Sequence, residues 1–401
     1  MKIIYYYDEP PESFSKSIFL AGPSPRRKDT SSWRPEALRI LEEKGYDGIV
    51  FVPEGPPKKG SSKYNPELSE AWEHKMIDMS DIMLFWVPRD LTIVGYRETK
   101  FPGFTTNVEF GHWVNSGKAV LGYPPKAPNT RYLKFMADKF HVPTFLTLEE
   151  TIDKSLELVG DGALRTGGER EIPLFIWKLR AFQNWYQAQR NAGNRLDGAK
   201  VEWISRVRNK PEAIFAFALR PRIYIASEDR VKLNDPVVFR LDISSVVLYK
   251  RHSDPLDSEI VLIKEFRSAS STADGFIWEL PGGSSPFTTD PLEVATEEIK
   301  EEVGLEIAHN RLEYLGSRQV AGTLSAHKSH TYSVELTDEE LAWAKNQKGI
   351  PHGADYPDNL TGERAYTEVL SLREIIKNNL TDWSNIGMIL LMFLANKKGR
   401  K

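Results

Sequence analysis

Short apolar runs alternate with helical patterns over the first 160 residues, and this alternation limits the fold more than any other feature of the 401-residue chain. Residues 82–87 (IMLFWV) are apolar throughout, as expected for a strand that is covered on both faces. Alternating strands and helices predict an α/β doubly wound parallel sheet with ligands at the carboxyl ends of its strands. The other strands are predicted at 17–21, 49–52 and 119–122, and the helices at 35–44, 65–79, 106–116 and 148–158.

Polar residues gather at the ends of these strands. Gly22 and Pro23 follow the first strand, Asp81 opens the strand at 82–87, and Glu109 falls in the first turn of the predicted helix 106–116. The helix dipole and free amides favour the ionised form of a buried carboxylate there, as a nucleophile needs. Position alone leaves open whether Glu109 is a nucleophile or only caps its helix.

Several separate motifs in this region resemble the nucleoside 2-deoxyribosyltransferase-like superfamily. They lie at residues 18–23 (IFLAGP), 32–48 (SWRPEALRILEEKGYDG), 80–90 (SDIMLFWVPRD) and 104–122 (FTTNVEFGHWVNSGKAVLG). In that family a Glu attacks the anomeric carbon of a nucleoside and forms a glycosyl-enzyme, while a second carboxylate handles the base and its proton.

The resemblance assigns residues by motif position, with Glu109 as nucleophile and Asp81 as its partner. One departure concerns the Asp that such transferases carry six residues before the nucleophile, because Gly103 stands there. The resemblance therefore supports the chemistry of glycosidic bonds in general more directly than it supports base exchange. Five residues are candidates for binding the substrate sugar, base or phosphate: Gly22, Pro23, Thr105, Thr106 and Asn107.

A second organised stretch, residues 278–305, reads as a strand end, a Gly-Gly turn and a carboxylate-rich helix. Asp290 is a predicted N-cap that forms a capping box with Glu293, and Gly304 is a predicted helix stop. The acids Glu298, Glu301 and Glu302 are spaced i, i+3 and i+4, so they neighbour one another and repel. A divalent cation such as Mg²⁺ would relieve that repulsion, since it prefers oxygen ligands. The alternative is a solvated acidic helix face.

This stretch resembles the Nudix box, and the residues before it resemble the approach to the box in ADP-ribose pyrophosphatases. The resemblance implies an α+β fold with a mixed sheet sandwiched by helices, and metal-dependent hydrolysis of a diphosphate. Two positions depart from the box, where Thr289 replaces a Glu and Glu297 replaces an Arg. The resemblance implies these roles: Glu298, Glu301 and Glu302 as catalytic ligands of Mg²⁺ or Mn²⁺, Arg267, Glu279 and Gly283 in substrate binding, and Glu363 as a late catalytic carboxylate, with Glu368 as an alternative.

Between these regions, the Gly-rich residues 160–168 suggest a linker. Residues 172–190 predict a helix whose dense aromatics favour packing over base stacking, and strand-like runs begin at 201. We therefore predict three segments: a transferase-like domain at 1–160, a linker with an aromatic-rich helix at 161–200, and a Nudix-like domain with extra strands at 201–401. The family of pyrophosphatases often pairs subunits through such strands, so a homodimer is expected.

Composition excludes several classes of function. The chain has no cysteine, so disulfides, thiolate metal sites and a Cys nucleophile are excluded. A net charge of −3 gives no general attraction to nucleic acid. No apolar run approaches a membrane span, and the first residues do not open a signal peptide, so we expect a cytoplasmic protein without a membrane partner.

The sequence therefore predicts a bifunctional enzyme of nucleotide metabolism that acts on a small nucleoside or nucleotide. The N-terminal domain would cleave or exchange an N-glycosidic bond, and the C-terminal domain would hydrolyse an ADP-ribose-like compound with Mg²⁺. In the alternative reading, the divergent Nudix domain is a nucleotide sensor that regulates the N-terminal enzyme.

Overall fold

The structure is a computed structural model that describes residues 1–25, 30–56, 66–94, 98–207, 210–285, 287–288, 290–353 and 364–395. Asn65, Thr289 and Glu363 therefore lie outside the described residues. The chain forms two units, Met1–Phe239 and Arg240–Lys401. No helix among the described residues is long and apolar enough to cross a membrane.

The first unit begins with a six-stranded sheet in which every described strand pair is parallel. Its strand order is β1-β4-β3-β5-β8-β9. The strands predicted from apolar runs are present at nearly the predicted positions, which confirms the α/β fold. The strands are β1 (Lys2–Tyr5), β2 (Ser13–Phe14), β3 (Ser17–Ala21), β4 (Ile49–Val52), β5 (Ile82–Trp86), β6 (Asp90–Val94), β7 (Glu98–Phe101), β8 (Ala119–Gly122), β9 (Thr144–Phe145) and β10 (Arg165–Thr166).

Helices cover both faces of this sheet. Successive side chains of a strand point to opposite faces, so Phe19 packs into one core cluster while Ile18 and Leu20 pack into the other. One cluster includes residues of α2, α3 and α4, and the other includes residues of α1 and α5. These helices are α1 (Arg34–Glu43), α2 (Pro66–Met79), α3 (Phe104–Trp113), α4 (Arg131–Lys139) and α5 (Leu148–Val159).

The segment 160–168, which suggests a linker by composition, lies inside the first unit. Arg165 is fully buried there, and the amide of Ala163 donates to the carbonyl of Ser15 at 2.8 Å. The helix predicted at 172–190 is broken at Leu179, whose backbone is extended. Near this break, the side-chain amide of Gln183 donates a hydrogen bond to the carbonyl of Trp177 at 2.6 Å. The pieces are α6 (Leu174–Trp177) and α7 (Arg180–Asn191), after a 3-10 turn at Gly167–Glu171.

The aromatic residues of α6 and α7 pack against one another and against a second, four-stranded sheet. Phe182 is fully buried, and the ring of Phe217 stacks on that of Phe239 at 4.7 Å. The packing interpretation of these aromatics is confirmed. The sheet consists of β11 (Arg195–Val207), β12 (Lys210–Ile225), β13 (Arg230–Lys232) and β14 (Val237–Arg240), which begins in the first unit. The strands predicted to start the third segment thus lie mainly in the first unit, and the predicted domain boundaries stay predictions.

The second unit is built on an eight-stranded mixed sheet between helices, as the sequence predicts. The strand β15 pairs parallel with β20, and the other described pairs are antiparallel. Residues of α8 and α9 join one core cluster, and those of α10 and α11 join the other. The elements are β15 (Ile243–Lys250), β16 (Glu259–Phe266), β17 (Phe276–Glu279), β18 (Gly282–Gly283), α8 (Pro291–Val303), β19 (Glu313–Gln319), β20 (Lys328–Glu335), α9 (Asp338–Asn346), β21 (Pro351–His352), β22 (Ala365–Ser371), α10 (Leu372–Lys377) and α11 (Trp383–Ala395), with 3-10 turns at Pro255–Asp257 and His309–Arg311.

Candidate active site

A cavity of about 540 Å³ opens at the carboxyl ends of β3 and β4 in the first unit. The chain passes from β3 to β4 on one side and then crosses to β5 on the other. Such a switch in direction leaves a crevice where ligands bind in open α/β sheets. The side chains that line it come from the loops after β3 and β4, from α2 and from the start of α3; those with polar groups are Tyr6, Ser24, Arg34, Glu54, Ser69, Glu70, Glu73, Thr105, Thr106 and Glu109.

Gly22 shapes the wall of this cavity. Its φ of +148° is rare for other residues, and a Cβ atom there would lie 2.2 Å from the carbonyl oxygen of Trp86. Only glycine therefore fits between the ends of β3 and β5. The next residue, Pro23, also lines the cavity, and its carbonyl accepts a hydrogen bond from Trp33 Nε1 at 3.1 Å. The sequence-predicted residues Gly22 and Pro23 thus both lie at the cavity.

Arg34 places a buried positive charge in the cavity wall. Its guanidinium donates to the carbonyls of Leu20 and Gly22 and to Ser24 Oγ, at 3.1, 2.8 and 3.1 Å. It also forms an ion pair with Glu54. Burial lowers the pKa of Arg34, whereas the carboxylates around it oppose that change. The pair fixes the loops after β3 and β4 in place.

Glu109 lines the same cavity, but it lies in the second turn of α3 and not in the first turn that the sequence predicts. The helix begins at Phe104. The residue before it, Gly103, adopts a left-handed φ of 64° and has no side chain that could cap the helix. The argument from free first-turn amides is therefore wrong for Glu109. Burial raises the pKa of its carboxyl, while the charges of Arg34 and His74 lower it. The Arg34 charge, which has the larger effect of the two, therefore favours the ionised form against the effect of burial.

Glu73, which the sequence analysis misses, is another carboxylate of the cavity. Burial and then the charge of Glu109 raise the pKa of Glu73 to about 7, and Arg34 opposes them. A carboxyl group with that pKa is protonated in weakly acidic solution, so it can donate a proton there. The topology offers a partial signal: a helix between parallel strands runs against them, so α2 begins at the carboxyl edge of the sheet and Glu73 lies at its middle.

Asp81 does not reach the cavity, and its predicted role as the partner of Glu109 is wrong. It precedes β5 and so lies at the amino end of the strand, at the opposite edge of the sheet. Its carboxylate is 2% exposed and receives two hydrogen bonds from Arg165 at 2.7 and 2.6 Å. The amides of Ser17 and Leu174 donate to it at 2.9 Å each. A carboxylate held by so many donors secures the packing of distant segments of the chain.

Asp81→Asn is expected to cost about 3–5 kcal/mol of unfolding free energy, because it leaves the buried Arg165 charge without its partner. The folded fraction should keep its cavity, since the side chain lies outside it. Chemical denaturation measures the first quantity, and hydrogen exchange of the peptides that line the cavity tests the second. Asp47→Asn is the control, because Asp47 pairs with Lys16 at the surface, where ion pairs contribute little. An Asp81→Asn protein as stable as wild type would contradict this assignment.

The three polar residues predicted at the start of α3 divide into two groups. Thr105 and Thr106 line the cavity, and Thr106 is 2% exposed. The amide oxygen of Asn107 instead accepts a hydrogen bond from Arg89, which also donates to the carbonyl of Asn129 at 2.7 Å. Asn107 is not among the residues that line the cavity, so its predicted contact with substrate is not supported.

In the second unit, the Gly-Gly turn and the acidic helix come together as the sequence predicts. Asp290 caps α8 through the amide of Leu292 at 2.9 Å, and Gly304 ends it with φ of 72°. The predicted capping box is absent from this described helix end, because Glu293 accepts from Thr288 Oγ1. Glu302 is largely buried and accepts the amide of Gly282 at 2.9 Å.

A Cβ atom at Gly283 would lie 2.2 Å from a carboxyl oxygen of Glu298, so the Glu298 side chain lies directly against this glycine. Arg267 bridges two acids, with Nε 2.8 Å from Glu279 and a terminal nitrogen 2.9 Å from Glu265. The predicted substrate-binding residues Arg267 and Glu279 thus contact each other. Glu368 accepts a hydrogen bond from Trp278 Nε1 at 2.8 Å.

Metal binding by Glu298, Glu301 and Glu302 stays a prediction. Their oxygens are suited to Mg²⁺ or Mn²⁺. In the part of the chain that the structure describes, however, no group of three or more His, Asp or Glu side chains could hold a metal ion. One oxygen of Glu302 is also occupied by the Gly282 amide. We therefore derive no metal-dependent step from the described arrangement.

Comparisons with known proteins bear on the two units differently. A family model described as nucleoside 2-deoxyribosyltransferase like matches residues 15–127, which confirms the resemblance of the N-terminal part. That range contains Glu73 and Glu109. A search of curated proteins gives no match. Among solved structures, one titled as a crystal structure of an ADP compounds hydrolase is 13% identical and covers 51% of this chain and 98% of its own, with a TM-score of 0.32. That likeness is too weak to support a fold or an activity, so the Nudix assignment stays a prediction.

Proposed function

We propose that this chain is an enzyme of nucleotide metabolism whose first unit cleaves the N-glycosidic bond of a nucleoside-type substrate. The observation that carries the proposal is the pair of carboxyl groups, Glu73 and Glu109, in one cavity at the switch point of the sheet. Burial and the charge of Glu109 raise the pKa of Glu73 to about 7, which suits a proton donor, and the Arg34 charge favours the ionised form of Glu109 that a nucleophile needs. The family match over residues 15–127 supports the same chemistry.

The reaction proceeds by double displacement. The ionised carboxylate of Glu109 attacks the anomeric carbon and forms an ester, and the C–N bond breaks with its electron pair moving to the base. Glu73 supplies the proton to the departing base nitrogen. Water, or a second base, then attacks the same carbon and gives its proton to Glu73, and the Glu109 carboxylate is released. Hydrolysis and transfer differ only in this second acceptor.

The rest of the cavity wall prepares the two acids for these roles. The Arg34 charge lowers the pKa of both Glu109 and Glu73. At Glu109 this favours the ionised form that a nucleophile needs. Thr105 and Thr106 offer hydroxyl groups for the sugar. Gly22 lets the loop after β3 pack against the carbonyl of Trp86, which shapes the cavity wall.

The proposal is tested by incubating the full chain with deoxynucleosides, their monophosphates and NAD, and by following free base by chromatography. Base should appear with at least one of them and be absent with Glu109→Gln. Adding a second, isotopically labelled base separates transfer, which incorporates the label into nucleoside, from hydrolysis. No base from any compound at any pH between 5 and 8 would reject the proposal.

For the second unit we propose binding of a nucleoside diphosphate derivative such as ADP-ribose, with hydrolysis as the first candidate and sensing as the second. The contact of Arg267 with Glu279, and of the Gly282–Gly283 turn with α8, supports a built site rather than a solvated acidic helix. If the units share a substrate, cleavage of NAD in the first unit would give ADP-ribose for the second.

Incubation with Mg²⁺ and ADP-ribose is expected to yield AMP, and Glu302→Gln should lower the rate about a hundredfold or more if Glu302 acts in the chemistry. Glu306→Gln is the control, because Glu306 is an exposed acid just beyond the helix that pairs with Lys300. AMP is followed by chromatography and binding by calorimetry. Binding of ADP-ribose without release of AMP would contradict hydrolysis and favour the function of a sensor.

A further inference from the structure

Lys118 is a buried lysine that the proposed chemistry does not use. It directly precedes β8 and is 4% exposed. A buried ammonium is costly unless hydrogen-bond acceptors surround it. Lys118 Nζ donates to the carbonyls of Ile77 and Asp78 at 2.7 and 3.3 Å. Both belong to the last turn of α2, where carbonyls lack helical partners and carry the negative end of the dipole.

The same ammonium also contacts α3. Its nitrogen lies 5.3 Å from the centre of the Trp113 ring, within the range of a cation–π interaction. Trp113 is the last residue of α3. One buried charge therefore contacts the carboxyl ends of two helices that pack on the same sheet face.

The positions of these contacts relate directly to the cavity. Ile77 lies four residues after Glu73, and Trp113 lies four residues after Glu109. Four residues is about one helical turn, so each contact lies directly below a cavity carboxyl on the same face of its helix. The Lys118 contacts are therefore positioned to fix the distance between α2 and α3 about one helical turn away from the two acids.

We propose that Lys118 is a positioning residue that ties α2 to α3 and so sets the separation of the Glu73 and Glu109 carboxyl groups. The catalytic consequence rests on the proposed function, but the tie itself does not. Neighbouring charges are compatible with a protonated amine: Asp78 and Asp81 favour the ammonium, while Arg165 and burial oppose it. The pKa of Lys118 falls to about 8, so the charge is present at pH 7.

Hydrogen exchange measured by mass spectrometry tests the tie without any assay of activity. In Lys118→Met, peptides that cover α2 and α3 should exchange about tenfold faster, while peptides from α1 and α5 on the other sheet face stay within about twofold. Lys118→Arg keeps the charge and should restore most of the protection. Trp113→Leu should loosen α3 and leave the last turn of α2 protected. Lys139→Met is the matched control, since Lys139 contacts the Phe140 ring at 5.5 Å at the end of α4, which carries no cavity acid.

Kinetics then test the effect on the acids. Lys118→Met should lower kcat about tenfold with KM within about threefold, and the upper pKa of the pH–rate profile should fall by about one unit as Glu73 moves away from Glu109. Unchanged exchange in α2 and α3, or equal acceleration in all four helices, would overturn the proposal. If the wild-type protein releases no base, the proposed function fails while the exchange result still decides whether Lys118 ties the helices.

Discussion

Replacing Glu109 by Gln is expected to lower kcat for base release by about a thousandfold or more, because the amide cannot form the glycosyl ester. The variant should fold, since the change keeps the shape of the side chain and removes a charge whose burial is unfavourable. Steady-state kinetics with chromatographic detection of base measures the loss. Substrate binding, measured by calorimetry, should remain.

A covalent intermediate gives a more direct test of the same residue. A nucleoside with fluorine at C2 of the sugar destabilises the oxocarbenium-like transition state and slows the release of the glycosyl group. The wild-type protein should then gain the mass of the fluorinated sugar, on the peptide that contains Glu109. Glu70→Gln is the matched control, because Glu70 lines the same cavity but has no role in the proposed reaction. Label on another residue, or base release by Glu109→Gln near the wild-type rate, would contradict the nucleophile assignment.

Four strands of the first unit, β3, β4, β5 and β8, could be predicted because each is a short apolar run whose residues are all buried. The run at 82–87 corresponds to β5 (Ile82–Trp86), whose five residues are all buried. In the second unit, Asp290 and Gly304 mark the ends of α8 through purely local effects, a side-chain cap and a left-handed turn. Features that depend on interactions within a single helix or strand could therefore be predicted from the sequence.

Features decided by contacts between distant residues were not. The Gly-rich composition of 160–168 suggests a linker. Arg165 in this segment is nevertheless fully buried and forms an ion pair with Asp81, 84 residues away. The same contact misled the assignment of Asp81, since a carboxylate next to an apolar strand resembles a catalytic one until its partner is known. Composition and spacing carry no information about such pairs.

Glu73 lies between these cases. Its helix was predicted, and the direction of a helix between parallel strands would have placed the start of that helix at the carboxyl edge and Asp81 at the amino edge. What the sequence does not contain is the depth of burial, which the fold creates by packing Trp72 and Met76 into the core. That burial raises the pKa of Glu73 and makes it suited to donate a proton.

Replacing Glu73 by Gln is expected to lower kcat/KM for an ordinary purine nucleoside by about a hundredfold, because the departing base no longer receives a proton. A substrate whose base is already cationic, such as a 7-methylguanine nucleoside, needs no proton and should lose less than about fivefold. Comparing the two substrates in the two proteins isolates the acid role from positioning. An equal loss on both would assign Glu73 to substrate binding instead.

The pH dependence gives an independent measure of the same group. The acid form of Glu73 is needed, and its pKa is raised to about 7, so wild-type kcat/KM should fall as the pH rises above 7. Protonation of the Glu109 nucleophile should lower kcat/KM again in acid. The folded pKa lies above the unfolded value of about 4.3, so the stability that protonated Glu73 provides is lost as pH rises from about 4 to 7. Glu73→Gln cannot ionise; it should therefore unfold a few degrees above wild type at pH 8 and together with it at pH 4. A wild-type rate profile that stays level to pH 9, together with equal melting temperatures at pH 8, would show that Glu73 ionises like an ordinary surface acid and would remove it as the proton donor.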